Sequence, residues 1–474
     1  MKRISITFIM AISLAASVHA QEVLTLDRCY SMALENNKEL KSAKVTLEKT
    51  GYDKKSAKSL FFPDISLVAG DMYGFGSNTL TIPGGKLPIY TLDPSTGTYV
   101  PNVTPNPDGS YTMNQYADFP DMKIKYEINN VFMGGIMLKQ PIYMGGKITS
   151  AYKMSKIGEQ IASQNVRLTE SEVIVETDNA FINAVKAKEM CKVAGKYNEM
   201  LTELLKNVEG AYKHGMKTKN DVLKVQVKQN ESILMMQKAQ NAFKLAKMNL
   251  CHIIGMDMET DIDVAYDNII TENAATVGGD ISARPEHEIL SSKVELAKQN
   301  IAFTRSDFLP NIALSGGFAY ANGVKISGNK LMDNTTGSVM LTLNIPVFHF
   351  GEGINKVKAA KAEHQIAMLE QSNLNEKMEL ELAQARNNLE ESEIEMEITQ
   401  KSLKQAEENM KMSKQQYEVG MEVLTNYLEA QSIWQQAYAD EINARCSHFI
   451  ATSKYLKASG LLDKSITEKR LNSN

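Results

Sequence analysis

The side chains able to do chemistry do not converge. His287 sits between Glu286 and Glu288 and resembles an acid-base cluster. Pro285 before it reads instead as the first position of a helix, where neighbouring acids favour the positive end of the helix dipole. Four cysteines, Cys29, Cys191, Cys251 and Cys446, lie far apart with no CxxC and no His at metal spacing. Each falls in a helical pattern, where Cys packs as a small hydrophobe; one long-range disulfide is the alternative. The 26 Met residues suggest soft-metal export, yet several occupy heptad positions, where Met is a common filler. Glu376, Glu379, Glu381, Glu390, Glu391, Glu393, Glu395 and Glu397 either line a cation-favouring passage or form a solvated helix face. No Ser/His/Asp arrangement or Gly-rich phosphate loop stands where catalysis would need it. The chain reads as no enzyme and calls for no cofactor and no metal.

Lys2 and Arg3 precede an apolar run from Ile4 to Val18, and Val18-His19-Ala20 offers small residues for cleavage. This reads as a secretory signal over residues 1–20. The run is shorter than the roughly 20 residues of a membrane span, and Gln21 after the cut is no lipid-carrying Cys. Beyond it no apolar stretch reaches about 18 residues, and mean hydropathy is -0.28. Any bilayer passage therefore falls to β-strands. A net charge of -4 without a basic, aromatic-interleaved stripe gives nucleic acid no hold.

An internal repeat organises the rest. LFFPDISL (60–67) returns as DFLPNIAL (307–314), with Pro310 lying 247 residues after Pro63. Pro141 and Pro346, Gly146 and Gly351, Tyr212 and Tyr417, Gly215-Met216 and Gly420-Met421, and Gln226 and Gln431 all pair at one offset, 205. An unbroken register from Pro141 to Gln226 means no insertion was tolerated there, as continuous packed helices demand. The two offsets, 247 and 205, differ by 42 residues, and the surplus falls between Pro63 and Pro141, among PGGKLP, LDPSTG and PNVTPNPDGS. That is turn composition.

Strands flank this surplus. From Ile124 to Leu138 the even positions are largely apolar, while Lys123, Lys125, Glu127, Asn129 and Lys139 take the odd face. The alternation recurs at Ile65/Leu67, at Ile312/Leu314/Gly316/Phe318/Tyr320 and at Val339/Leu341/Leu343/Ile345, so each copy supplies two strands. Phe61, Phe62, Tyr143, Phe308, Phe348 and Phe350 cluster at strand ends, either as an interfacial girdle or as ordinary packing in a soluble sandwich.

Heptads then run without a slip, as in Met378, Leu382, Ala385, Leu389, Ser392, Met396, Thr399, Leu403, Ala406, Met410, Ser413 and Tyr417, and from Val173 to Tyr212 in the first copy. Each such segment, of about 65 residues, reaches about 100 Å. Gly215 and Gly420 break the pattern once per copy and turn each helix back on itself.

Four strands cannot close a barrel, and an open edge in lipid leaves unpaired N–H and C=O groups costing several kcal/mol each. The chain must oligomerise. Two copies would give a filled eight-stranded barrel; three give twelve strands and room for a pore.

Two tandem copies of helix, Pro-led strand, loop, strand, P-x-[YF]-x-x-G, long helix, Y-x-x-G-M and long helix resemble the outer-membrane efflux proteins of the TolC family. The resemblance covers essentially the whole mature chain. It implies a mixed α and β membrane protein: a homotrimer whose copies each give four strands to a 12-stranded outer-membrane β-barrel, continued by antiparallel coiled-coil helices into a periplasmic α-barrel. On this basis 1–20 is the signal peptide. Residues 21–280 are the first repeat, with a long extracellular loop and an equatorial segment, and 281–474 the second, with a short loop and a C-terminal tail. The resemblance also implies outer-membrane lipid around the barrel, a periplasmic adaptor protein, and an inner-membrane transporter of RND, ABC or MFS type. The expected function is the passive exit duct of a tripartite drug efflux pump; a type I protein secretion duct is one alternative, and a structural periplasmic coiled-coil protein another.

In that family a Tyr of the second hairpin and an Asp of the first help hold the tunnel mouth closed; the matching residues here are Tyr417 and Asp221. Where the family's model member has an Arg and then an acidic ring, this chain has Glu422 and Asn426, so that salt bridge and ring are in doubt. Tyr212, Gly215, Met216, Gly420 and Met421 mark the tips expected to meet the adaptor, and Pro63, Pro141, Pro310 and Pro346 the strand and barrel junctions.

The 42-residue surplus between the two first-copy strands is expected outside the cell. A tag inserted near Asn106 is then labelled on intact cells without loss of export; labelling that needs permeabilised cells would reverse the topology.

Overall fold

The computed structural model describes residues 22–74, 77–265, 280–331 and 333–462; the expected signal peptide lies outside them. In chain order, β1 (Glu22–Leu24), α1 (Leu26–Asn36) and α2 (Lys38–Ser59) lead to β2 (Asp64–Tyr73). Then come β3 (Ser77–Ile82), β4 (Gly85–Pro88), β5 (Tyr90–Leu92), β6 (Tyr99–Pro101), β7 (Val103–Pro105), β8 (Tyr111–Met113), β9 (Tyr116–Phe119) and β10 (Met122–Met144). Helices α3 (Lys147–Lys213) and α4 (Lys219–Ile254) and strand β11 (Ile262–Val264) complete the first pass. The second pass is α5 (Pro285–Ser306), β12 (Asn311–Ile326), β13 (Asn329–Lys330), β14 (Asp333–Asn344), α6 (Glu352–Glu418) and α7 (Leu424–Ala458). The duplication holds residue for residue: α2 and α5 each have 22 residues and start 247 apart, and α3 and α6 each have 67 and start 205 apart.

Two compact units form, each drawing on both copies: one from the described parts of Met1–Lys54, Lys153–Ile301 and Ala359–Asn474, the other from Lys55–Tyr152 and Ala302–Lys358. In the sheet unit all long pairings are antiparallel, and β12 lies between β10 and β14. The other side of β10 pairs with β2 and then with β3. Ile136 stands opposite both Leu67 and Phe318, and Leu314 opposite Leu341, so the apolar side chains share one face. That face is open: Leu67 is 78% and Val339 80% exposed, whereas a soluble sheet would cover it. Pro63 and Pro310 directly precede β2 and β12, and Pro346 follows β14. Pro141 instead lies inside β10, at an irregularity between Pro141 and Tyr143 where the missing N–H is tolerated.

The surplus region is more ordered than its turn composition suggests. It holds three small antiparallel pairs, β4 with β9, β5 with β6 and β7 with β8. Asp93 accepts from the Ser95 N–H and hydroxyl, and Asp108 does the same for Ser110, closing two of these turns.

In the helical unit, burial follows the heptads. From Met378 to Tyr417 every seam residue of α6 is buried or half-buried and every residue between them is exposed. Helix α3 buries a second face besides its seam, with Phe181, Ile182 and Val185 inside. The reason is neighbours. Phe181 shares a core with Leu250 of α4 and Ile442 of α7, whereas Ala385 and Leu389 of α6 pack on Tyr455 and Ala458 of α7. One buried polar pair joins α6 to α7: the Ser392 hydroxyl lies 3.0 Å from His448 Nδ1, and burial pushes the His448 imidazole pKa down.

A carboxylate ties three helices together. Asp178 of α3, 1% exposed, accepts the Tyr30 hydroxyl of α1 and, at 2.6 Å, the Ser453 hydroxyl of α7. Asp178→Ala strands both hydroxyls in a dry core and is expected to lower unfolding stability by about 3 kcal/mol; denaturant unfolding followed by circular dichroism reads the loss. Asp178→Asn, which keeps one acceptor, is expected to lose less.

Candidate gate and docking site at the hairpin tips

The Y-x-x-G-M motif has a mechanical meaning. At the end of α3 the Gly215 N–H donates to Tyr212 O (2.9 Å) and the Met216 N–H to Ala211 O (2.9 Å). At the end of α6 the Gly420 N–H reaches Tyr417 O (3.1 Å) and the Met421 N–H reaches Gln416 O (2.8 Å). These are two copies of a Schellman turn, with glycine at φ +76° and +79° in the left-handed region. In such turns the following residue usually packs back on the helix. Here Met216 and Met421 are 70% and 82% exposed, so neither packs back on its helix.

The two hairpins restart differently. Thr218 caps α4 in a reciprocal box: the Asp221 N–H donates to its hydroxyl (3.2 Å), while the Asp221 carboxylate accepts from the Thr218 N–H (3.0 Å) and hydroxyl (2.8 Å). The Thr218 backbone N–H first and its hydroxyl second hold the Asp221 carboxyl below the usual carboxylate range. Val423 caps α7 with no side-chain bond. Beside it Glu422 accepts the Ser413 hydroxyl, so this carboxylate faces its own helix rather than standing free. Asn426 is exposed in the first turn, its N–H on Val423 O at 3.2 Å.

Tyr417 and Asp221 are neighbours without being bonded. Burial, and after it the Asp221 charge, push the Tyr417 hydroxyl pKa up, but within one chain the Asp221 hydrogen bonds described go to Thr218. Tyr417 stacks on Tyr427, with centroids 5.3 Å apart and planes at 21°, and Lys217 of the first hairpin sets its ammonium 4.7 Å from the Tyr417 centroid. A cation-π contact therefore links the two tips. Lys217 and Tyr427 are absent from the sequence reading of this site. A Tyr at a heptad position and a lone Lys beside a tip carry no signal of such a contact.

The other chemistry-bearing residues are absorbed by structure. Pro285 opens α5, His287 Nδ1 lies 3.2 Å from Asn375 Oδ1, and Glu286 pairs with the buried Arg284 at 2.8 Å. Arg284 also reaches Glu381 at 2.8 Å, and all eight acids of the α6 run are exposed. Cys29, Cys251 and Cys446 are buried and Cys191 half-buried, all as free thiols, and burial pushes the Cys446 thiol up to about 11.

A family model described as outer membrane efflux protein matches residues 29–256 and 290–454. The alkaline protease secretion protein AprF of Pseudomonas aeruginosa is 22% identical over 240 residues, 48% of this chain and 49% of AprF, so the chain spans about half of that relative's length. The outer membrane efflux protein BepC of Brucella suis is 18% identical over 330 residues, 69% of this chain and 71% of BepC. The CmeC outer membrane channel of Campylobacter jejuni has a TM-score of 0.72 at 20% identity, covering 94% of this chain and 89% of that one, a likeness of fold.

Asp221→Ala is expected to cost the α4 cap about 1 kcal/mol, seen as faster amide hydrogen exchange over the first turns of α4. Because the folded pKa is depressed, the cap's contribution is present above the unfolded value near 3.9 and is lost as pH falls through the folded one. Tyr417→Phe, which keeps the ring stack, is expected to leave that exchange unchanged.

Proposed function

The chain belongs to the outer membrane efflux protein family, and from that premise we propose that it is the exit duct of a tripartite efflux system, carrying small molecules such as drugs passively to the exterior. Its place is the outer membrane, with the long helices in the periplasm, and both family and fold are those of channel proteins. The observation that carries the proposal is the sheet: four long antiparallel strands, an exposed apolar face, and β2 and β14 each with one open edge. Three copies would close those edges into twelve strands. A periplasmic coiled-coil protein accounts for the helices but leaves such a face without a partner.

On this reading the tips meet a periplasmic adaptor beneath which an inner-membrane transporter of RND, ABC or MFS type stands. Met216 and Met421 supply the exposed apolar contacts, with Tyr212 beside them. Tyr417, Asp221, Glu422 and Asn426 surround the mouth that the tips hold narrow. One observation favours a second reading, a type I secretion duct: AprF is named for protease secretion.

Cross-linking in native membranes is expected to give a three-chain ladder in the outer-membrane fraction, and the purified protein to form channels in planar bilayers. A soluble periplasmic monomer would sink the proposal. For the gate, Tyr417→Phe with Asp221→Ala is expected to raise single-channel conductance, because a Tyr417–Asp221 bond made between neighbouring copies, and not within one chain, would contribute about 1.5 to 3 kcal/mol at each of three contacts. Parental conductance in that variant assigns closure to Met216 and Met421 instead.

A further inference from the structure

The sheet's register sorts side chains onto two faces. Ile65, Leu67, Ile136, Leu314, Phe318 and Leu341 stand on one, the lipid face of a barrel. Between β2 and β14 the other face carries Ser66, Gly70, Gly135, Gly317, Ser338 and Thr342, with no Leu, Ile or aromatic residue along the paired stretch. Apart from Val68 and Val131, four longer apolar side chains break this small, polar pattern there, and all four are methionine: Met72, Met133, Met137 and Met340. They are 57%, 57%, 52% and 60% exposed. Three of the four stand opposite small residues: Met137 faces Ser66 and Gly317, Met133 faces Gly70 and Ala321, and Met340 faces Ser315, while Met72 faces Val131. The thioethers therefore rise from a low floor and are free to turn.

If apolarity alone were selected at these four positions, Leu or further Val would serve, as Val68 and Val131 do beside them. Methionine differs in being unbranched and polarisable, so it adapts to varied shapes and makes favourable sulfur contacts with aromatic rings. The spacing speaks against a chelate. Met133 and Met137 are four residues apart on one strand, about 13 Å, and β14 lies two strands from β10, about 9.5 Å. These three sulfurs do not converge within one copy on an ion that needs bonds of about 2.3 Å; Met72, the diagonal neighbour of Met133 at about 7 to 8 Å, adds a second ligand at most.

We propose that Met133, Met137 and Met340, with Met72, form a contact track in the barrel lumen for uncharged aromatic solutes, gripping each weakly and releasing it onward. The proposal rests on the exit-duct reading, which turns this face to the lumen. Weak, repeated contact suits a conduit, since a tight site would hold cargo rather than pass it.

The test uses the full-length protein in planar bilayers, with Met133, Met137 and Met340 changed together to Gln, which keeps length but not apolarity. The probe is 1-N-phenylnaphthylamine, read as transient current block, with sucrose as hydrophilic control. Ionic conductance and the sucrose response are expected to match the parent, while the dye's block shortens about fivefold, each lost thioether-ring contact being worth a factor of a few. The Met→Leu triple, which conserves core-like volume, is expected to shorten the block about twofold. Parental dwell times in both variants overturn the track. So does a variant with unchanged dye block that sensitises cells to silver ions, which would make the thioethers a soft-metal path. A parent protein that forms no channel sinks the exit-duct reading itself, and is told apart from these outcomes by the absence of any conductance.

Discussion

Everything in this chain answers to one constraint: an apolar sheet face that must lie in lipid, on a sheet with two open edges. Within hydrocarbon each unpaired backbone group costs several kcal/mol, and no water is there to relieve it. Strand β14 is paired along its length with β12 only, and β2 with β10 only. Neither side chains nor loops can repair that within one copy. Association is therefore a condition of folding in the membrane rather than a later refinement. It also makes the tandem duplication useful, because two strand pairs per chain let three chains close what one pair each would need six to close.

Where insertions are tolerated follows from the same logic. A helix of 67 residues packed along a seam loses register if one residue is added, and every contact beyond the insertion rotates by about 100°. The constant offset of 205 from Pro141 to Gln226 is the trace of that penalty. A strand connection has no such coupling, and there the 42-residue difference between offsets accumulates. In this chain it has even acquired structure of its own, three short pairs, two of them closed by Asp93 and Asp108.

Periodic features were legible in the sequence and non-periodic ones were not. The α6 seam was readable to the residue because from Met378 to Tyr417 α6 buries one stripe alone. The second face of α3 was not, since Phe181, Ile182 and Val185 are buried by α4 and α7, and which helices flank it is tertiary information. Three-residue strands such as β5 are too short to show alternation. The parallel pairing of β1 with β11 joins segments more than two hundred residues apart and leaves no local mark. At the tips, Y-x-x-G-M was visible as a repeated motif, and the backbone bonds of Gly and Met explain its spacing. Asp221 was singled out by resemblance as a gate residue. Its capping of Thr218 is the commoner physics of an acid three residues after a Thr, and the two roles compete for one carboxylate.

That competition separates the two hairpins. Their turns are the same Schellman motif, yet α4 restarts on a reciprocal Thr218–Asp221 cap while α7 restarts on Val423, which offers nothing to the free N–H groups. A missing cap is worth about 1 kcal/mol, and Glu422, the nearest carboxylate, is occupied with Ser413. The restart of the first hairpin is therefore the better capped of the two. What steadies the second comes from outside its own backbone: the Tyr417–Tyr427 stack and the Lys217 ammonium reaching across from the first tip. Displacing Lys217 from the Tyr417 ring would remove this contact between the hairpins while leaving the α4 cap whole, because the two rest on different side chains.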